Sequence, residues 1–128
     1  MNKTYNPDTV APPFGAYDHA VEIPAGARTL HISGQIGVYP DGTIPDDIEA
    51  QADQAWQNVL AILADAGMGV EDLVRTTAYL TNIDDAPAVR TARGKYLGDH
   101  RPASTLLVVA ALARPEFLFE LEAVAAKS

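Results

Sequence analysis

The sequence predicts an α+β domain in which two helices cover one face of a single sheet. Short runs rich in β-branched and aromatic residues alternate with two stretches of helical periodicity, in the order β-β-α-β-α-β-β. The 128 residues are enough for one hydrophobic core and too few for two, so we expect a single domain over residues 1–128.

The N-terminal third predicts an irregular lead-in followed by a β-hairpin. The first 16 or so residues are dense in proline and glycine and show no periodic pattern. Residues 20–23 and 29–36 are strand-like runs on either side of the turn-rich segment PAGAR, so we expect the two runs to pair with each other. Gly34, inside the second run, indicates either a β-bulge or a close approach by a ligand or another backbone.

A long amphipathic helix is predicted between Asp46 and Gly67. Its apolar residues recur at helical spacing on one stripe, which comprises Ile48, Ala52, Ala55, Trp56, Val59, Leu60, Leu63 and Ala64. Asp46 followed by Glu49 resembles a capping box, and Gly67 stands where a left-handed helix terminus is expected. Both ends of the helix therefore agree with its periodicity.

A second, shorter helix is predicted after a strand. Residues 74–80 are rich in β-branched residues and tyrosine, as is typical of a strand. The helix that follows has Asp84 or Asp85 as its candidate N-cap, Pro87 in its first turn and Gly98 past its end.

The last two predicted strands indicate how the sheet is covered. Residues 104–112 are apolar on both faces, whereas residues 116–126 place their aromatic side chains on one face and Glu120 and Glu122 on the other. A strand that is apolar on both faces is normally buried on both sides, and the two helices cover only one side. We therefore expect a homo-oligomer whose sheets pack together, with binding sites at the seams between subunits.

Composition disfavours several classes of function. Nine basic against seventeen acidic residues give a net charge of −8, which disfavours nucleic-acid binding because phosphate neutralisation supplies most of that affinity. No stretch approaches the ~18 apolar residues of a membrane span, and the N-terminus has no secretory pattern. The absence of cysteine fits a reducing cytoplasm, and the three histidines lack ligand-like spacing, so we expect a cytoplasmic protein without a metal site.

Four segments, spread over almost the whole chain, share the order and spacing of one known family. They are PPFGAYDHAV, HISGQIG, the predicted long helix with VRTTAYLTNIDD behind it, and HRPAST with FELEAVA. On these segments the chain resembles the RidA/YjgF family of imine and enamine deaminases. The resemblance implies a chorismate-mutase-like fold with a mixed sheet, a homotrimer around a central β-barrel, and clefts between subunits. It also implies hydrolysis of 2-aminoacrylate and related 2-imino acids without metal or organic cofactor.

The resemblance also draws attention to one altered residue at the family's substrate-binding position. The family deaminases hold the substrate carboxylate with the arginine of a Pro-Ala-Arg-Ser pattern, which here reads Pro102-Ala103-Ser104-Thr105. A serine hydroxyl has no charge and donates at most one hydrogen bond, whereas a guanidinium grips a carboxylate with two. Ser104 and Thr105 are therefore either neutral hydrogen-bonding ligands or ordinary residues of a strand entrance.

Further site candidates follow from the resemblance position by position. Glu120 matches a glutamate that helps to position the attacking water, and the alternative is a solvated strand carboxylate. Tyr17 matches a tyrosine that lines the cleft, and the alternative is a buried aromatic residue. Ser33, Gly34 and Gln35 match a family segment that approaches the ligand.

Three arginines are candidates to replace the lost cation. Arg90 and Arg93 stand on the second helix where the family often carries Asn and Tyr, and Arg101 directly precedes the altered motif. We include Arg90 among the substrate-binding candidates. The sequence leaves open which arginine faces the cleft, and surface exposure is the alternative for each.

We therefore expect a cofactor-independent hydrolase of a small imine or enamine, with its pocket between subunits. Because Ser104 replaces the anchoring arginine, we expect inefficient hydrolysis of 2-aminoacrylate. The alternative is a trimer that binds a metabolite without catalysis. Ribonuclease activity, a label attached to some family members, agrees poorly with the acidic charge.

Overall fold

A computed structural model describes residues 2–128, which form six strands and two α-helices. The elements in chain order are β1 (Lys3–Tyr5), β2 (Ala20–Glu22), β3 (Arg28–Ile36), α1 (Ile48–Asp65), β4 (Leu73–Leu80), α2 (Ala86–Leu97), β5 (Ala103–Val108) and β6 (Phe119–Lys127). Short 3₁₀ turns precede β4 and α2.

The main sheet is four-stranded and mixed, in the order β3-β6-β4-β5. Strands β4 and β5 are parallel because α2 connects them as a crossover, and the other two pairs are antiparallel. Helix α1 packs on β3 and β6, and α2 packs against α1 on the same side. The prediction of two helices on one face of the sheet is confirmed.

The core lies between the helices and this face of the sheet. Strand β6 buries the alternating residues Phe119, Leu121, Ala123 and Ala125, as its sequence pattern predicts. Trp56 of α1 is fully buried and stacks on Tyr96 of α2, with ring centroids 6.1 Å apart. This aromatic pair joins the two helices above the sheet.

The predicted pairing of residues 20–23 with residues 29–36 is wrong. Strand β2 instead pairs with β1 in a separate two-stranded sheet, where Tyr5 Oη donates to Glu22 Oε1 at 2.8 Å. Strand β3 pairs with β6, because the nine residues of β6 present a complete apolar face and the three residues of β2 do not. The first 16 residues are therefore not wholly irregular, since they contain β1.

Three boundaries also differ from the prediction. The N-cap of α1 is Asp47 and not Asp46, because the Asp47 carboxylate accepts a hydrogen bond from Ala50 N at 2.7 Å. Strand β5 ends at Val108, since its partner β4 ends at Leu80 and the pairing stops there. Strand β6 begins at Phe119, after a loop over residues 109–118.

The predicted proline and C-terminal glycines are confirmed, whereas Asp85 occupies the N-cap position of α2 without a capping hydrogen bond from its side chain. Helix α2 begins after Asp85 with proline in its first turn, and it ends at Gly98, whose φ is 56°. Gly67, which follows α1, has a φ of 71° in the left-handed region that favours glycine.

A buried glutamine attaches the loop at 109–118 to α1. Gln51 is 1% exposed, and its Nε2 donates to Pro45 O and Glu116 O while its Oε1 accepts from Leu118 N, each at 2.9 Å. Gly37 allows the backbone of α1 to lie close to the end of β3, because a Cβ at position 37 would lie 2.4 Å from Gln51 O. One side chain thus satisfies three backbone groups in segments that lack regular pairing.

A charged network joins the two helices through Asp53. Its carboxylate accepts hydrogen bonds from Lys95 Nζ at 2.8 Å, Tyr96 Oη at 2.6 Å and Gln57 Nε2 at 2.7 Å. The hydrogen bond from Lys95 is the largest of the effects that hold the pKa of Asp53 below its usual range. A lowered pKa adds stability above the unfolded value of about 3.9, and this stability is lost as the pH falls through the folded-state pKa.

We expect Asp53→Asn to lower the free energy of unfolding by about 1 kcal/mol at neutral pH. The effect is modest because the side chains of Asp53 and Lys95 are 32% and 64% exposed. Urea unfolding at pH 7 and at about pH 2.5 measures it, and the gap between variant and wild type should shrink in acid. Asp99→Asn, at an exposed carboxylate, is the control. A gap of equal size at both pH values would contradict an electrostatic origin.

The other face of the main sheet is open. Leu107 of the edge strand β5 lines this face and is 45% exposed, although the sequence places it in a run that is apolar on both faces. No helix among residues 2–128 has the length and apolar character needed to cross a membrane. Burial of the open face by other copies of the chain stays a prediction.

Candidate functional site

Two depressions lie on opposite faces of the main sheet. The first, with a volume of about 390 Å³, lies between α2 and the sheet, and we call it the α2 cavity. The second, with a volume of about 480 Å³, lies on the open face. Both fall within the size range of small-molecule pockets.

The α2 cavity contains three of the residues that the sequence predicts for the site. Arg90 comes from α2, Ser104 from the entrance of β5, and Tyr17 from the segment before β2. The parallel register of β4 and β5 sets Ser104 beside Thr76, whose hydroxyl lies 3.4 Å from the Ser104 hydroxyl. The segment at residues 14–17 closes one side of the cavity.

The open face holds most of the other predicted residues. Ser33 and Thr105 line the second depression, together with Arg75, Tyr79 and Glu122. The Tyr79 hydroxyl donates to Glu122, and this hydrogen bond raises the pKa of Tyr79.

Glu120 lies beside Gly34. A Cβ at position 34 would lie 1.8 Å from Glu120 Oε2, so only glycine leaves room for the carboxylate in this position. A register shift between Ile32 and Gln35 shows that Gly34 lies in a β-bulge, as one of the two predicted explanations has it. The close approach seen here is by a side chain, and approach by a ligand stays a prediction. Gln35 donates from its Nε2 to Ser33 O at 3.1 Å, which orders the bulge.

The sheet separates the predicted residues into two groups within one chain. Side chains alternate across a strand, so Ser104 faces the helices while its neighbour Thr105 faces the open side. Glu120 alternates in the same way with the buried Phe119 and Leu121. A single chain therefore does not bring Glu120 and Ser104 into contact.

Arg93 is one of the three arginines whose place the sequence left undecided. It lines the α2 cavity, and its Nε and Nη2 atoms are buried without a hydrogen-bond partner among residues 2–128. Burial, and then the charge of Arg101, lower the pKa of its guanidinium. The sequence did carry a signal, because Arg93 falls at helical spacing between the buried residues Val89 and Leu97.

The other two arginines differ from Arg93. Arg101 donates from Nη1 to Gly98 O at 2.8 Å and to His100 O at 3.2 Å, so it is engaged in its own loop. Arg90 lines the α2 cavity and is largely exposed.

The α2 cavity has a cationic and donor-rich lining. Two arginines and no Asp or Glu line it, in a chain whose net charge is −8. Trp56 Nε1 is a further buried donor without a partner among the described residues. Leu106, Phe119 and Leu121 supply the apolar part of the lining. The cavity is therefore suited to a small anion with an apolar portion.

This fold defines a small α+β domain whose cavity has the size of a small-molecule pocket. The family described as Endoribonuclease L-PSP matches the chain over residues 8–127. The chain belongs to this family, which is the RidA/YjgF family that the sequence motifs indicate.

Individual relatives cover the whole domain. The chain is 32% identical to the 2-iminobutanoate/2-iminopropanoate deaminase of Escherichia coli K12, with 99% of each chain covered. It is 34% identical to a RutC family protein of Pasteurella multocida, with 100% of each covered. The crystal structure of YyfB from Yersinia pestis, titled a protein of unknown function of the conserved Rid family, superposes with a TM-score of 0.86 at 34% identity and covers 98% of both chains.

Proposed function

We propose that this protein hydrolyses a small imine or enamine in a pocket completed by two copies of the chain. The observation that carries the proposal is the α2 cavity, in which Tyr17 and Ser104 meet at the positions the family resemblance predicts. A relative named as a 2-imino acid deaminase, 32% identical over nearly the whole chain, supports this class of reaction.

The need for a second copy follows from the two faces of the sheet. The α2 cavity has no carboxylate or histidine in its lining, so one chain supplies no strong proton acceptor there. Glu120 lies on the open face, which also carries the exposed Leu107 of β5. In the proposed homotrimer, open faces pack around a central barrel, and Glu120 of one copy contributes to the site at the seam with the next copy, where the edge strand β5 carries Ser104.

The proposed chemistry needs no cofactor. An enamine first takes a proton at carbon and loses one from nitrogen to become an imine, and water then attacks the imine carbon. Glu120 accepts a proton from this water, and hydroxyl groups such as that of Ser104 donate to the developing charge. The carbon–nitrogen bond breaks after the nitrogen is protonated, which yields a carbonyl compound and ammonia.

Ser104→Arg is expected to raise the turnover of 2-aminoacrylate by ~10- to 100-fold. The variant restores a charged, two-point contact to the substrate carboxylate that the serine hydroxyl does not provide. Ammonia release from freshly generated 2-aminoacrylate measures the effect. Thr91→Arg, on the exposed side of α2, is a control that adds the same charge outside the cavity. Wild-type turnover equal to that of an ordinary family deaminase would refute the role given to Ser104.

A binding trimer without catalysis is the second candidate function. It is favoured by the same absence of a proton acceptor from the α2 cavity. A thermal-shift screen followed by turnover assays separates the two functions, because binding to the native state raises its apparent stability. Stabilisation without product from any hit supports the binder, whereas ammonia release supports the hydrolase.

Cleavage of RNA, which the family description names, receives no support from the charge of this chain. RNA binding depends on neutralising phosphates, and the acidic residues outnumber the basic ones by seventeen to nine. We propose that the substrate is a small molecule and that the protein acts in the cytoplasm.

A further inference from the structure

We propose that Arg93 binds the carboxylate of the ligand and takes the place of the strand arginine that Ser104 has replaced. We further propose that this ligand is a carboxylic acid with an apolar side chain. The inference rests on the proposed function, because it assigns the substrate class of the same cavity. In this assignment the cation that binds the carboxylate belongs to helix α2 and not to strand β5, and Arg93 and Ser104 both line the cavity.

The first step of the argument is the unpaired charge of Arg93. Its Nε and Nη2 atoms are buried and have no hydrogen-bond partner among residues 2–128. The charge of Arg101 repels that of Arg93 and, after burial, lowers its pKa. The side chain is partly buried, and buried donors without a partner beside a like charge are unfavourable unless an anion compensates them, so the arrangement is suited to binding an anion.

The second step is that neither of the other arginines has this environment. Arg101 donates to two carbonyl groups of its own loop and does not line the α2 cavity. Arg90 lines the cavity, but it is largely exposed, so water screens and solvates its charge. Of the three candidate arginines, Arg93 alone combines a place in the lining with buried, unpartnered donors.

The third step is the type of anion. A guanidinium presents parallel N–H groups that match the two oxygens of a carboxylate. Trp56 Nε1 and the hydroxyl groups of Thr76 and Ser104 provide single neutral donors in the same lining. Of the two lining arginines only Arg93 is partly buried, and one such cation with neutral donors fits a monoanion better than a phosphate, which carries about two charges at neutral pH.

The fourth step is the apolar remainder of the lining. Ala78, Val89, Leu106 and Leu121 come from three strands and from α2, and they enclose much of the 390 Å³. A two-carbon group would leave a large part of this apolar volume unfilled. An acid with a branched or aromatic side chain buries more apolar area, and each added methylene contributes about tenfold or less to affinity.

The test measures the binding of stable acids and needs no turnover. Calorimetry compares 4-methyl-2-oxopentanoate, pyruvate and the methyl ester of 4-methyl-2-oxopentanoate as probes. We expect the branched acid to bind more tightly than pyruvate and the neutral ester to bind weakly. Arg93→Gln should weaken the branched acid by ~10- to 100-fold, whereas Arg90→Gln should weaken it by less than about threefold.

Stability and assembly are measured on the same variants. Arg93→Gln removes a charge that lacks a partner, so we expect its melting temperature without ligand to equal or exceed that of the wild type. Its oligomeric state should be unchanged. If Arg93 instead pairs with a carboxylate of a neighbouring copy, Arg93→Gln will weaken assembly and leave the affinity for acids unaltered, which overturns the inference.

The remaining outcomes keep this inference distinct from the proposed function. Binding that depends on Arg93 without ammonia release from any imine supports the inference and refutes the hydrolase. Ammonia release that Arg93→Gln does not alter refutes the inference and leaves the hydrolase standing. Failure of the wild type to bind any of the acids, or tighter binding of inorganic phosphate, also overturns the inference.

Discussion

Replacing Gln51 with leucine is expected to lower the free energy of unfolding by at least about 3 kcal/mol. Leucine has a similar volume and removes all three hydrogen bonds of the side chain, which satisfy Pro45 O, Glu116 O and Leu118 N. Each buried backbone group left without a partner costs about 1–3 kcal/mol. A domain with a total stability of 5–15 kcal/mol would lose a large part of it.

Urea or thermal unfolding of purified protein measures this effect. Gln54→Leu is the matched control, because Gln54 lies on the same helix, is also buried and donates only to Asn58 Oδ1. We expect the control to lose about 1 kcal/mol. An equal loss of unfolding free energy in both variants would show that the attachment of the loop at 109–118 does not contribute more to stability than an ordinary side-chain hydrogen bond.

Glu120→Gln is expected to lower the turnover of any imine that the wild type hydrolyses by ~100- to 1,000-fold. Glutamine keeps the shape of the side chain but does not accept the proton of the attacking water. The open-face position of Glu120, beside the bulge at Gly34, makes the substitution tolerable for folding, so the melting temperature should change little. Coupled detection of ammonia, with the imine generated in the assay, measures the loss.

Two further variants make this prediction specific. Glu122→Gln alters the neighbouring carboxylate of the open face, which is already engaged by Tyr79, and should reduce turnover far less. Gly34→Ala displaces the end of the Glu120 side chain, because the new Cβ would overlap Oε2. It should therefore resemble Glu120→Gln in turnover. A Glu120→Gln variant that retains full activity would exclude Glu120 from proton transfer.

The parts of the fold that were predictable are those whose signal lies within a single element. The two helices have both periodicity and end residues, such as Gly67 and Gly98, that favour one backbone conformation. The pairing of β2 was not predictable, because its partner β1 is a three-residue strand that contains no apolar face. Strand pairing depends on which distant segment offers more surface to bury, and a local pattern carries no such information.

The candidate site, like the fold, could be predicted only in part. Motif positions located Tyr17 and Ser104, and the structure sets both around one cavity. The sheet separates them from Glu120 because of the alternation of side chains along β5 and β6. The sequence predicts this alternation for β6, but the relation between the two strands depends on the strand order, which the sequence does not specify. The environment of Arg93 depends on how α2 lies over the strands, which no periodicity specifies.

The loop between β1 and β2 gives the α2 cavity one of its walls. Residues 14–17 close one side of the cavity, and the loop is held by contacts of its own, such as Asn6 to Asp18 and His19 to Ala11. The small sheet is also tied to the main sheet, since Asn2 Nδ2 donates to Ala126 O at 3.3 Å. Substitutions in the loop are therefore expected to reshape the cavity while the helices and strands that form the core keep their sequence.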